Sequence, residues 1–281
     1  MTPAPLPPPA PRPAPPSISA ALGRRAFTIM ELLVVIAVVA LLLSILLPAL
    51  GGARAAGRQA ACQSNQRQMI LGWTLYADAH AGRAMPLADV SGQPVYWWGA
   101  VVGNTIDQTR GYLTTYLDAP LGERGVFECA AQPWGTYRPQ PASVSPGLPT
   151  STYGYNGYYL CPPATPGWSL QIGGQRWKRL SDLDRPTELF VFADTLLPGT
   201  PPRNCALLDP PMLFGAGCSW STNLSPTTSF RHRGQTVTAR GDGSVRAVAS
   251  KPEWILALPL NVGSVGSENG PHYVPDWQRW R

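Results

Sequence analysis

Between Arg25 and Pro48 the chain is apolar at every position except Thr28, Glu31 and Ser44. About 20 such residues suffice for a helix to cross a bilayer, so residues 27–48 are expected to span a membrane. Arg24 and Arg25 stand just before the run and assign its N-terminal side to the cytoplasm. Glu31 strains that simple picture, because a carboxylate in hydrocarbon costs about 3 kcal/mol or more. A plain anchor has no use for it. Nine of the first 16 residues are proline, which forbids helix and strand ladder alike. Residues 1–26 therefore read as a disordered leader.

The helical pattern continues past the apolar run. Residues 49–79 are rich in Ala, Arg, Gln and Leu, all good helix formers. Ala61, Met69, Leu71 and Leu75, widened by Ile70 and Trp73, suggest one apolar face, and Pro48 with Gly51 and Gly52 is expected to kink the helix. After Gly82 the texture changes. Short β-branched and aromatic runs at 95–102, 125–129, 152–160, 188–193, 235–240 and 244–248 alternate with turns, in a chain of 28 glycines and 32 prolines. Asp242–Gly243 between alternating strands marks a hairpin. The expected fold is α+β: a long helix over residues 27–80, then a globular, antiparallel-sheet domain with long loops over 81–281.

Charge excludes one function class. The net charge is +6, but Arg12, Arg24 and Arg25 lie in the leader, and without them 19 basic residues face 16 acidic ones. That excess is too small to argue for nucleic acid. Cys62, Cys129, Cys161, Cys205 and Cys218 contain no C-x-x-C pair, so the sequence carries no zinc pattern. In an exported chain some can oxidise. Cys62, close behind the anchor, is expected as the free thiol, and the other four have three connectivities between which the sequence does not choose.

The residues Arg25-Ala26-Phe27-Thr28-Ile29-Met30-Glu31-Leu32-Leu33-Val34 resemble the cleavage and methylation motif of type IV pilins and type II secretion pseudopilins. Ala26 stands where Gly is commoner, and the leader is longer than usual. The resemblance implies cleavage between Ala26 and Phe27 by a prepilin peptidase and N-methylation of Phe27. It further implies that Glu31 neutralises a neighbouring subunit's N-terminal amine during filament assembly, and that Pro48 is the family's helix-kinking proline. A charge costly alone in lipid is less costly when paired. Further short motifs resemble the pseudopilin-like family of planctomycete type: CQSNQRQ from Cys62, FECAA around Cys129 (with Ala130 where Pro is usual), TYGYNG from Thr152, FVFADT with Asp194, and His232 with nine residues between it and Asp242-Gly243. The implied setting is a single-pass protein of the bacterial inner membrane with its C-terminal domain outside. The implied partners are other pseudopilins, the secretion-system inner-membrane platform and membrane lipid.

The same sequence admits other readings. Ala53-Arg54-Ala55 fits a signal peptidase site, but leaves Glu31 unexplained. Ten tryptophans, including Trp97-Trp98, suit a membrane-tethered glycan- or substrate-binding module that does not polymerise. Asp194, His232 and Asp242 could cluster at one sheet end around Ca²⁺, yet two carboxylates fall short of the six to eight oxygens it takes. The structural alternative makes Asp242 the cap of a turn whose Gly243 takes positive φ, with His232 orienting the same corner. No Gly-x-Ser-x-Gly, His-Glu-x-x-His or phosphate-cradling loop is present, so no enzymatic activity and no cofactor are expected.

Overall fold

A single α-helix, Ile29–Ala79, opens the structure. The computed structural model describes residues 28–103, 105–117, 125–132, 138–139, 150–164, 175–215 and 219–280. The chain forms two compact units, Met1–Ala49 and Leu50–Arg281. In the first, the helix starts at Thr28, which caps it, and runs through Pro48 without a break. Its apolar side chains from Ile29 to Leu47 are all exposed within the protein. Among the described residues this is the one helix long and apolar enough to cross a membrane.

In the second unit the helix buries one stripe: Cys62, Gln66, Met69, Ile70, Trp73, Tyr76 and Ala77. Steps of three and four residues put these on one face. The expected face was only partly right, since Ala61, Leu71 and Leu75 point to solvent. The pattern misled because the buried stripe includes the polar Gln66 and the small Cys62, which an apolar count passes over. The helix ends in a Schellman arrangement. Ala81 takes φ +55 and the Gly82 N–H donates to the Ala77 carbonyl at 2.8 Å.

That stripe faces a four-stranded antiparallel sheet ordered Val245–Ala249, Gln235–Arg240, Phe190–Asp194, Tyr153–Tyr155. Polar side chains fix the helix against it. Gln66 Nε2 donates to the Val237 carbonyl at 2.8 Å, Trp73 Nε1 to Tyr155 Oη at 3.1 Å and Asn65 Nδ2 to the Glu128 carbonyl at 2.9 Å. Trp97, Phe127, Tyr155 and Phe192 pack among one another in the core. Every residue of Phe190–Asp194 is buried, which suits a central strand covered on both faces.

A second four-stranded antiparallel meander joins Ala88–Asp89, Val95–Tyr96, Gly99–Val102 and Thr105–Asp107. A three-stranded sheet and a two-stranded hairpin follow, together with one parallel pair, Arg138–Pro139 with Arg203–Asn204. The α+β layout thus holds, with that parallel pair as an exception to the antiparallel rule. Three expected strands differ. Residues 95–102 turn at Trp97-Trp98 into a hairpin. Residues 125–129 form turns. The run from Thr152 leaves the sheet at Tyr155, because Asn156 caps the short helix Gly157–Leu160 by accepting the Tyr159 N–H.

Candidate functional site

Three places carry the residues singled out from sequence. At the first, Ala26 and Phe27 lie outside the described residues. The next residues form a capping box: Glu31 Oε2 accepts the Thr28 N–H and the Thr28 hydroxyl, both at 2.9 Å, and Thr28 Oγ1 accepts the Glu31 N–H at 3.2 Å. Two otherwise orphaned N–H groups of the first turn are satisfied this way. Pro48 lies inside the helix and gives no N–H to the Ser44 carbonyl.

At the second place, the Gln235–Arg240 and Val245–Ala249 strands join through Asp242 and Gly243. Asp242 Oδ1 accepts the Ser244 N–H at 3.0 Å and its hydroxyl at 2.7 Å, and Gly243 takes φ +82. His232 does not orient this corner. The six-residue strand Gln235–Arg240 separates the two, roughly 20 Å of extended chain. Asp194 belongs at the His232 end, since Arg240 pairs with Phe190 while the Val237 N–H reaches Asp194. The expected grouping of Asp194, His232 and Asp242 is therefore corrected: the fold unites the first two and sets Asp242 at the opposite end.

The third place is a buried group that the sequence reading did not assemble. Cys62 comes from the helix, Cys129 from the turns after Gly125, Asp194 from the end of the central strand and His232 from the turn before Gln235. Their sulfur, nitrogen and carboxylate oxygen atoms all lie within 4.8 Å of one another. Cys62 and Cys129 form a disulfide. This corrects the expectation that Cys62 is the free thiol; an anchor-proximal position does not keep a thiol apart when its helix face is buried. Cys161 is buried and its sulfur accepts the Leu87 N–H, the Cys205 thiol donates to the Leu207 carbonyl, and Cys218 lies outside the described residues.

Around the disulfide, His232 Nε2 stands 3.3 Å from Cys129 Sγ and 3.4 Å from Asp194 Oδ2. Asp194 is wholly buried; Oδ2 accepts the Val237 N–H at 2.7 Å, while Oδ1 has no hydrogen-bond partner among the described residues. Burial raises the Asp194 carboxyl above its ordinary range, opposed by the nearby Arg231 and His232 charges. Burial also lowers His232, opposed by Asp194. One signal for this group was in the sequence: Cys62, Cys129, Asp194 and His232 each sit in one of the short motifs quoted above.

Among the described residues the tryptophans supply no surface platform. Trp97 and Trp98 are core residues, and none of the eight described tryptophans is exposed. No protein-family model, curated protein or solved structure matches the chain.

Proposed function

We propose that the chain is a structural subunit of a pilin-like filament. It is cut before Phe27 and methylated there by a prepilin peptidase, and assembled through its apolar helix into a type II secretion pseudopilus or related pilus. The observation that carries this reading is the exposed apolar helix from Ile29 to Leu47, headed by Glu31 and continuous with a helix that a separate sheet domain holds. A surface of that size and apolarity needs lipid or other helices around it. In the membrane it is solvated by lipid, and in a filament by the same helix of neighbouring subunits. Glu31 then serves twice, as cap of its own helix through Oε2 and as counter-charge to a neighbour's N-terminal amine.

On this reading the protein sits once through the bacterial inner membrane, N-terminus inward, with residues beyond the helix outside. Its partners are the peptidase, like subunits and the inner-membrane assembly platform. Among the described residues no observation favours the glycan-binding alternative; its Trp97-Trp98 pair is buried.

Two measurements test the proposal. Intact-mass analysis of membrane-extracted protein should show a chain starting at N-methylated Phe27; retention of Met1 or a start at Ala56 overturns it. Glu31→Gln keeps the capping geometry, because Gln serves at the same position of the box, and removes the charge. It should insert normally and fail to cross-link into multimers. Multimers at wild-type yield overturn the assembly role.

A further inference from the structure

We infer that the reduced chain holds one thiophilic divalent cation of the Zn²⁺ class on Cys62 Sγ, Cys129 Sγ, Asp194 carboxylate and His232 Nε2. The inference does not depend on the filament reading. Four potential ligands from four separate segments converge to within 4.8 Å, and all four residues are buried. A disulfide alone explains two of them. It gives no reason for a histidine and an aspartate to be buried against it.

The His232–Asp194 distance suits coordination better than hydrogen bonding, and the His232–Cys129 distance is compatible with both. One ring nitrogen, His232 Nε2, faces both Cys129 Sγ at 3.3 Å and Asp194 Oδ2 at 3.4 Å. The second separation is longer than a normal N–H···O bond of about 2.7–3.2 Å. A tetrahedral zinc site with bonds of about 2.0–2.3 Å has ligand-to-ligand edges of about 3.3 Å for N···O and about 3.6 Å for S···N. The two sulfurs need to move from about 2 Å apart, as bonded, to about 3.8 Å, as ligands. A second observation points the same way. Asp194 Oδ1 is buried with no hydrogen-bond partner among the described residues, so this carboxylate carries unused acceptor capacity in the interior. The Val237 N–H on Oδ2 orients the carboxylate as an outer-shell partner does. Arg231 lies close enough to act on Asp194 electrostatically, but its Nη2 is bound to the Thr152 and Thr195 carbonyls.

Two sulfurs, one imidazole and one carboxylate select a borderline-soft cation and disfavour Ca²⁺, which takes six to eight oxygens. Four protein ligands in a closed, buried site make the role structural. The ion would tie the helix, the turn at Cys129, the central strand and the turn at His232 together, a junction that the disulfide makes between only two of them. The chemistry balances. A phosphine reductant and one water convert the disulfide into two thiols and a phosphine oxide. Zn²⁺ then replaces the two thiol protons, which leave to solvent.

The test uses the full chain in detergent, reduced anaerobically with a water-soluble phosphine, incubated with Zn²⁺ or Co²⁺ and freed of excess metal. The reduced chain should retain one Zn²⁺ by mass spectrometry of metals, and Co²⁺ should give thiolate-to-metal charge transfer with tetrahedral ligand-field bands. The unreduced chain should retain none. His232→Ala and Asp194→Ala should each weaken binding at least about tenfold. Cys161→Ser, outside the group, should bind as wild type. Should Asp194→Ala fail to fold, His232→Ala, checked for native circular dichroism in its oxidised form, decides alone. A reduced chain that retains no metal, or a folded His232→Ala chain that binds like wild type, overturns the inference.

Discussion

Thr28 and Glu31 hold each other across the first turn of the helix: Thr28 Oγ1 accepts the Glu31 N–H, and Glu31 Oε2 accepts the Thr28 N–H. The carboxylate that looked out of place in an apolar run is thus the partner of a cap. It satisfies the Thr28 N–H, while Thr28 Oγ1 satisfies the Glu31 N–H, and its negative charge complements the helix dipole. Capping and assembly are separable by substitution. Thr28→Ala removes the cap and keeps the charge. It should cost about 1 kcal/mol of local helix stability, seen as faster amide exchange at Ile29–Glu31, while cross-linking into multimers persists. Loss of multimers equal to that of Glu31→Gln would assign the carboxylate to capping alone.

Gln66 is wholly buried on the helix face, and its Nε2 donates to the Val237 carbonyl in the sheet. Removing the donor leaves a buried carbonyl unpaired. Gln66→Ala should therefore lower the unfolding free energy of the unit beginning at Leu50 by about 1–3 kcal/mol. The exposed neighbour Gln68→Ala should stay within about 0.5 kcal/mol of wild type. Urea denaturation of both variants measures this, and equal midpoints would show that the helix is not held to the sheet through Gln66.

At the hairpin corner the two motif residues act differently. A Cβ on Gly243 meets nothing within 4 Å, so only its φ of +82 opposes a side chain. Gly243→Val should cost about 1–2 kcal/mol from backbone conformation. Asp242→Asn retains an oxygen for the Ser244 N–H and hydroxyl and should cost less than about 0.5 kcal/mol. Thermal melts that rank the two variants in reverse would refute the turn-based account.

The helix, its exposed apolar part and the Asp242–Gly243 hairpin were legible because periodicity and turn chemistry are local. The helix's buried stripe was read only in part, since Gln66 is buried for its hydrogen bond and not for its hydrophobicity. The group at Cys62, Cys129, Asp194 and His232 was illegible as a unit because its members span 171 positions and meet only through sheet register. His232 and Asp242, with nine residues between them around a turn, suggested one corner. The strand between them puts them at two.

Asp209 offers a test by pH. Its Oδ1 is buried with no hydrogen-bond partner among the described residues, and burial pushes the carboxyl up to about 7, opposed by a hydrogen bond from Tyr158. The unfolded chain ionises this group near 3.8. Between those values the folded state binds more protons than the unfolded state, so this group's contribution to stability is complete below about pH 4 and falls as pH rises through about 7. Each unit of difference is worth about 1.4 kcal/mol, an upper bound here because the residue is only half-buried as a whole. Asp209→Asn cannot ionise and can still accept from Tyr158. It should unfold at higher denaturant than wild type at about pH 8, and the advantage should shrink or reverse at about pH 5. Comparing variant with wild type cancels the other groups, including Asp194, which shifts the same way, and His232, which shifts the opposite way. A constant difference between the two proteins across this range would mean that Asp209 is already ionised in the folded chain at low pH, and that its burial carries no linkage.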